Sequence, residues 1–282
     1  MEAEKLLKIE DELRQLTSQV SAMEVELRQS KEETGSLRKA LRKIAESSEI
    51  FEKAFRVTGF IGDYVEFGAY RGDSIIQAYF AGLRVYEEIA AGTWDHSFDD
   101  SSKTRGYFQN AWNELRFIAF DSFQGMPESG EVDSIHPVFP KGTYACSEAD
   151  FRANLRKYGI ADSKVVTVPG FFRDTLNDAT AKRLGLKKIA MLHIDSDLYE
   201  SARDALEFCT PFFVDGTVII FDEWYQFYGN PDLGEQRAFR EWIAAHPEWI
   251  VTPFQKEGAF RNSFFLNTPR RVQNGRPIAA PL

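Results

Sequence analysis

Cysteine and histidine are scarce in this chain, and no long apolar run occurs. Two cysteines in 282 residues, Cys146 and Cys209, cannot build a disulfide framework, and no Cys-x-x-Cys spacing exists to seat a metal. Cys209 lies in an apolar, helix-like context and reads as a core residue. No apolar stretch approaches the roughly 18 residues that a membrane span needs. The N-terminus is highly charged and lacks the basic-then-apolar order of a signal peptide. The expectation is a soluble, cytoplasmic protein without membrane insertion. Basic charge is short as well: 34 Lys and Arg stand against 43 Asp and Glu, a formal net charge of −9. Nucleic-acid binding is therefore disfavoured, since counterion release from phosphates needs a basic face. Apolar residues are plentiful at 43%, enough to build the core of one large domain or two modest ones.

The first 50 residues form one pattern. Leu6, Ile9, Leu13, Leu16, Val20, Met23 and Leu27 recur at 3-4 spacing, then Ser30 and Thr34, then Leu37, Leu41 and Ile44. Charged and polar residues fill the intervening positions, as in a heptad seam with Leu6 at a and Ile9 at d. So narrow a stripe cannot be buried by one helix alone, which predicts a coiled coil of about 60 Å and a homo-oligomer built through it. Gly35 costs about 1 kcal/mol of helix propensity and marks a soft spot. The alternative is a single helix folded back onto the rest of the chain.

Beyond Phe51 the periodicity changes, and residues 51–282 read as one globular domain. A short strand pattern from Gly62 to Gly68 and apolar runs at Phe117–Phe120, Val165–Val168, Ile189–Ile194 and Val218–Phe221 alternate with helical patterns. That alternation predicts a doubly wound α/β domain with a mostly parallel sheet. Residues 260–266 read as a late antiparallel edge strand. Two pairs of acids follow two of the runs, Asp195 with Asp197 and Asp222 with Glu223. This places them at the carboxyl end of the sheet, where open α/β sheets bind ligands. Four clustered carboxylates are costly without positive charge, and an oxygen-liganded cation such as Mg²⁺ is the simplest one. The bland alternative is that Asp195 or Asp197 caps the helix beginning near Tyr199.

The first strand runs into Glu66-Phe-Gly-Ala-Tyr-Arg-Gly72, an E-x-G-x-x-x-G turn rather than the dinucleotide G-x-G-x-x-G. An acid ahead of the glycines repels a pyrophosphate and suits a cationic amino-acid group. Asp121, ending the second strand, is placed to accept from ribose hydroxyls. Glu66, the glycines and Asp121 in that order suggest S-adenosylmethionine. The segment from about 124 to 149 holds Pro127, Pro137 and Pro140, and a connection of that length reads as a lid over the site. His136 within it reads as solvated, and His193 as a core or adenine-side residue.

Several of these motifs together resemble the macrocin O-methyltransferase family. They are Val65-Glu-Phe-Gly-Ala-Tyr-Arg-Gly-Asp-Ser74, Phe120-Asp-Ser-Phe-Gln-Gly-Met-Pro127, Phe139-Pro-Lys-Gly-Thr143, Gly170-Phe-Phe-Arg-Asp-Thr-Leu176, His193-Ile-Asp-Ser-Asp-Leu-Tyr-Glu-Ser201 and Ile219-Ile-Phe-Asp-Glu-Trp224. The resemblance spans about residues 55 to 266. It implies a class I methyltransferase of Rossmann-like architecture with a seven-stranded type of sheet. The reaction implied is metal-dependent methylation of a sugar hydroxyl in a glycoside, nucleotide sugar or polysaccharide. S-adenosylmethionine would be held by Glu66, Gly68, Tyr70, Gly72, Ser74, Asp121, Ser122, Gly170, Phe171 and Asp195. Mg²⁺ or another divalent cation would be held by Asp195, Asp222 and Glu223. Asp197 is the expected general base, with Asp195 beside it in the catalytic pair. The chain departs from the family at Asp222-Glu-Trp224, where Asp-Asp-Tyr is usual, which leaves the acceptor pocket open to change by Trp224. Other readings are a catechol-like phenol acceptor, a nicotinamide oxidoreductase, and a coiled-coil scaffold with a non-catalytic methyltransferase-like domain.

Overall fold

The computed structural model describes residues 49–93, 102–128, 130–133 and 140–269. It also describes 19–21, 23, 24, 27 and 28, and a short two-stranded ribbon at 272–273 and 276–277. The chain divides into two compact units, Met1–Ser47 and Ser48–Leu282. In the first, the few described residues between 19 and 28 are helical, and Val20, Met23 and Leu27 of the seam are exposed. The rest of the coiled-coil reading, and His136, lie outside the described residues.

The second unit is built on a seven-stranded sheet. Its strands are β1 (Asp63–Phe67), β2 (Phe117–Asp121), β3 (Val165–Pro169), β4 (Ile189–Ile194), β5 (Phe213–Phe221), β6 (Ile250–Glu257) and β7 (Arg261–Asn267). Their order is β3-β2-β1-β4-β5-β7-β6. The five strands β1 to β5 run parallel, and β7 is antiparallel to both β5 and β6. Strands β1, β2 and β4 are buried along their whole length, which makes β2 and β4 largely apolar in sequence, while β1 carries Asp63 and Glu66 into the buried sheet.

Helices cover both faces. Helix α1 (Glu49–Thr58) turns Ile50, Phe51, Ala54 and Phe55 inward, and it packs with α2 (Asp73–Ala91), which in turn meets α3 (Ser102–Glu114). On the opposite face lie α7 (Tyr199–Cys209) and α8 (Gly234–Ala245). Their Ala202, Ala205, Leu206, Phe239 and Trp242 join Val65, Phe67, Leu192 and Ile194 in the main core. Helices α4 (Glu148–Lys157), α5 (Phe172–Thr175) and α6 (Asp178–Leu184) complete the unit. Cys209 is fully buried, as expected of a core thiol.

One strand assignment needs correction. Residues 260–266 do not form an edge strand: β7 is antiparallel, but it lies between β5 and β6, and the edge belongs to β6. The sequence reading passed over β6 because it is largely exposed and contains Pro253, features that an edge strand tolerates and a central one does not. The change matters because it brings Arg261, the first residue of β7, beside the acids after β5.

Candidate active site

Between β1 and β4 the strand order reverses direction, and the crevice at the carboxyl ends opens there. A cavity of about 390 Å³ occupies it. Among its lining residues are Gly68, Tyr70, Asp121, Ser122 and Phe171 on the β1–β3 side, and Asp195, Ser196, Asp197 and Glu223 on the β4–β5 side. Gly125, Met126, Pro127, Glu128 and Tyr144, all from the segment expected to form a lid, also face this space. Glu66, Gly72, Ser74, Gly170 and Asp222 do not line it, so the expected cofactor and metal residues fall into two layers, one at the wall and one behind it.

The glycines of the turn are dictated by the protein itself. Gly68 has φ +88, and a Cβ there would lie 1.8 Å from the backbone oxygen of Asp195. It is the close passage of β1's end against β4's end that forbids a side chain. Gly72 (φ +82) precedes α2, and a Cβ would press on Phe151 and Leu155 of α4.

Asp121 closes this turn. One carboxylate oxygen accepts from the backbone N–H groups of Ala69 and Tyr70, both at 2.8 Å, and the other accepts from Phe123 N–H at 2.6 Å. Burial raises its pKa, and those three backbone donors offset part of the rise. Tyr70, Phe123 and Tyr144 all have positive φ, as does Asp197 at +62, a conformation that costs a non-glycine residue energy. Asp197 sits in a tight turn in which Leu198 N–H donates to Ser196 O at 2.6 Å.

Behind the wall lies a buried polar row. Glu66 is fully buried; it accepts from Ser74 Oγ at 2.6 Å and from the Tyr64 hydroxyl. His193, also fully buried, places Nδ1 at 3.2 Å from Glu66 Oε2 and Nε2 at 3.3 Å from Asp222 Oδ1. Phe51 of α1 meets the His193 ring edge-on, with centroids 5.5 Å apart. Arg261 donates through Nε to the same Asp222 oxygen at 2.5 Å. Burial alone would lower the His193 pKa, but hydrogen bonds to Asp222 and Glu66 carry it up to about 9. Burial would likewise raise Asp222, but His193 and Arg261 hold it down at about 2.

The acids at the wall behave oppositely. Burial first, and then Asp222, Glu223 and Asp197, push Asp195 well above the usual carboxylate range. Asp197 is raised to about 7 by burial and by Asp222. Glu223 is raised to about 10 by burial and by Asp197, Asp222 and Glu235. Glu235, at the start of α8, is a fifth acid that the sequence reading missed; its Oε2 accepts from Glu223 N–H at 3.0 Å. Oε1 of Glu235 and Oε2 of Glu223 are buried without a hydrogen-bond partner among the described residues. Cation-ligating atoms of His193, Asp195 and Asp222 fall within 4.8 Å of one another.

The helix-cap alternative is not realised. The N-cap of α7 is Leu198, and the buried carboxylate that accepts from Tyr199 N–H, at 2.6 Å, is Asp133. Asp195 and Asp197 are thus free of that duty. Trp224 packs on Phe221, Phe239 and Phe264, so it belongs to the core rather than to the acceptor pocket.

Strand order, the acid-lined crevice and solved relatives together define a class I methyltransferase fold. The O-methyltransferase NovP superposes with a TM-score of 0.55 at 23% identity, covering 78% of this chain and 79% of that one. The calicheamicin methyltransferase CalS11 gives 0.55 at 22%, covering 80% and 79%. Residues 104–241, just under half of the chain, match the macrocin-O-methyltransferase (TylF) family. Among curated relatives, a Streptomyces olivaceus protein named 8-demethyl-8-(2,3-dimethoxy-alpha-L-rhamnosyl)-tetracenomycin-C 4'-O-methyltransferase is 35% identical over 173 residues, 59% of this chain and 54% of that protein. Demethyldecarbamoylnovobiocin O-methyltransferase of Streptomyces niveus is 35% identical over 111 residues, covering 37% and 40%. Mycinamicin III 3''-O-methyltransferase of Micromonospora griseorubida is 31% identical over 111 residues, covering 37% and 42%. The chain spans about half the length, or less, of these curated relatives. Among the described residues no helix is long and apolar enough to cross a membrane.

Proposed function

We propose that this chain transfers the methyl group of S-adenosylmethionine to a sugar hydroxyl of a glycoside, assisted by a divalent cation. The observation that carries the reading is the buried carboxylate cluster on one wall of the switch-point cavity, opposite Gly68, Asp121 and Phe171. The names of these relatives support an O-methyltransferase, and one of them names a rhamnosyl-bearing acceptor.

The residues present fit a hard cation. Asp195, Asp197, Asp222, Glu223 and Glu235 meet two basic groups, His193 and Arg261, and two of the acid oxygens are buried without a partner. Asp195, Asp222 and Glu223 would hold Mg²⁺, since oxygen donors suit it. His193 turns both nitrogens to carboxylates and serves as a buried counter-charge rather than a ligand. When bound, the cation would supply orientation of the acceptor oxygen and a lowered pKa for its hydroxyl. Asp197, with a pKa raised to about 7, is suited to accept the hydroxyl proton at neutral pH. Tyr70, Asp121, Ser122 and Phe171 would seat S-adenosylmethionine, which supplies the sulfonium methyl, with Glu66 and Ser74 bracing the turn from behind. Met126, Pro127 and Tyr144 would close the acceptor side against water.

Charge narrows the acceptor. Asp121, Glu128, Asp195, Asp197, Glu200, Asp204 and Glu223 line the cavity, and Arg173 is the only basic residue among the described lining residues. Glu128, Glu200 and Asp204 lie outside the proposed cation cluster, and with Arg173 alone to answer a pyrophosphate an uncharged glycoside is favoured over a nucleotide sugar.

Calorimetry of S-adenosylmethionine binding with and without Mg²⁺, on wild type and Asp195→Ala, tests the reading. Cofactor binding that survives the substitution, while methylation of a trial glycoside is lost, is the expected result. A wild-type protein that binds no S-adenosylmethionine would return the domain to a scaffold role.

A further inference from the structure

Charged residues on four strands and one just past a fifth, β5, form an alternating row beside the carboxyl ends of β1, β4 and β5. Glu66 on β1 is the register partner of His193 on β4, and His193 is that of Ile220 on β5. Two residues beyond Ile220 stands Asp222. The β5–β7 pairing runs through Phe221 opposite Asn262, and its next step sets Asp222 opposite Arg261. Arg261 in turn is the register partner of Glu257 on β6. The row therefore reads acid, base, acid, base, acid over β1, β4, β5, β7 and β6, with Asp222 at its centre.

The contacts on Asp222 are one-sided. His193 Nε2 at 3.3 Å, Arg261 Nε at 2.5 Å and Arg261 Nη2 all meet Oδ1, and Oδ2 receives none of the three. Arg261 has little freedom of its own. Its Nη1 donates to Glu257 Oε2 at 2.6 Å, and its guanidinium lies 5.5 Å from the centre of the Phe51 ring. Glu257 is braced from the other side, where Oε1 accepts from Ile50 N–H of α1 at 3.2 Å. Helix α1 and the β6–β7 hairpin, about 200 residues apart in sequence, thus converge to hold one oxygen of one aspartate.

We propose that Arg261, braced by Glu257, is a positioning residue that fixes Asp222 through Oδ1 and presents Oδ2 alone to the divalent cation. The inference rests on the cation reading above. A planar guanidinium provides two directed donors to Asp222 and a third to Glu257. An ammonium at the same place supplies equal charge without that geometry. Arg261 does not line the cavity and is placed to act through Asp222.

The test is full-length Arg261→Lys and Glu257→Gln against wild type. Mn²⁺ affinity is measured by electron paramagnetic resonance, S-adenosylmethionine affinity by calorimetry without metal, and stability by thermal melting. Arg261→Lys, which keeps the charge, is expected to weaken Mn²⁺ binding at least tenfold while changing S-adenosylmethionine binding less than twofold. Glu257→Gln, which leaves Arg261 in place but unbraced, is expected to weaken Mn²⁺ binding by a smaller factor in the same direction. Wild-type Mn²⁺ affinity in Arg261→Lys would show that Arg261 supplies charge alone and would overturn the inference. Parallel loss of both ligands together with a lowered melting temperature in both variants would make the row a folding device and also overturn it. A wild-type protein that binds no Mn²⁺ would instead remove the cation reading on which the inference stands.

Discussion

At the scale of single residues, the site is governed by how unequally its carboxylates are compensated. Asp222 has His193 and Arg261 against it and stays ionised down to about 2. Asp197 and Glu223 lack such partners, and burial pushes them up to about 7 and about 10. These shifts have a defined sign in stability. An acid whose folded pKa is raised keeps its proton in the folded state when the unfolded chain has lost it, so stability falls as pH rises through that interval. His193, raised to about 9, contributes stability that is complete below its unfolded value of 6.5 and lost as pH rises through 9. Asp222 has the opposite sign, but its interval lies below 3.8. The cation-free protein is therefore expected to lose melting temperature steadily from mildly acidic to alkaline pH. Mg²⁺, a ligand of the ionised acids, should raise the melting temperature more at about pH 8 than at about pH 5.5. Equal gains at the two pH values would contradict the assignment of these acids to a cation.

At the scale of elements, the segment after β2 is tied down by one side chain. Asp133 is 1% exposed, and its two oxygens accept from Tyr199 N–H of α7 at 2.6 Å and from Gly234 N–H of α8 at 3.1 Å. One carboxylate thereby serves the starts of two helices, where the helix dipoles favour negative charge. Val132 and Met126 add apolar contact with Leu198, Phe227 and Leu233. Asp133→Ala would leave two N–H groups unpaired, a loss of about 1–3 kcal/mol for each buried donor. The expected kinetic effect is a rise in acceptor KM of severalfold, with cofactor affinity nearly unchanged because the β1–β3 wall is separate. Steady-state kinetics with each substrate varied in turn checks this, and an equal rise for both substrates would contradict a role confined to the acceptor side.

At the scale of the whole molecule, the N-terminal seam remains the proposed route to a homo-oligomer. Val20, Met23 and Leu27 are exposed, as residues awaiting a partner helix would be. Deletion of residues 1–48 should reduce the mass measured by light scattering while leaving S-adenosylmethionine affinity intact. An unchanged mass would assign assembly to the globular unit.

Much of this molecule was legible in its residues, for a definite reason. Parallel strands buried on both faces are mostly apolar, so β2 and β4 stood out, β1 stood out by the glycine turn that ends it, and the acids at the strand ends followed by position. The family motifs, Asp121 at the turn and the acid pairs after β4 and β5 were all visible in this way. Other features were visible as letters but not as roles. Glu66 was read as a cofactor ligand, yet its oxygens face Tyr64, Ser74 and His193. Gly68 was read as a cofactor residue and lines the cavity, but its lack of a side chain is required by the backbone of Asp195, which already occupies that space. Trp224 was read as open to changing the acceptor pocket, and it packs in the core. Sequence alone determined the α/β alternation, the likeness to the macrocin-O-methyltransferase family over residues 104–241 and the placing of acids at strand ends, because periodicity and local order are properties of the chain. Tertiary structure alone decided which partner each acid has. Arg261 lies 39 residues from Asp222 and Asp133 lies 101 from Gly234, and pairing across such distances is set by strand order and helix packing rather than by any local pattern.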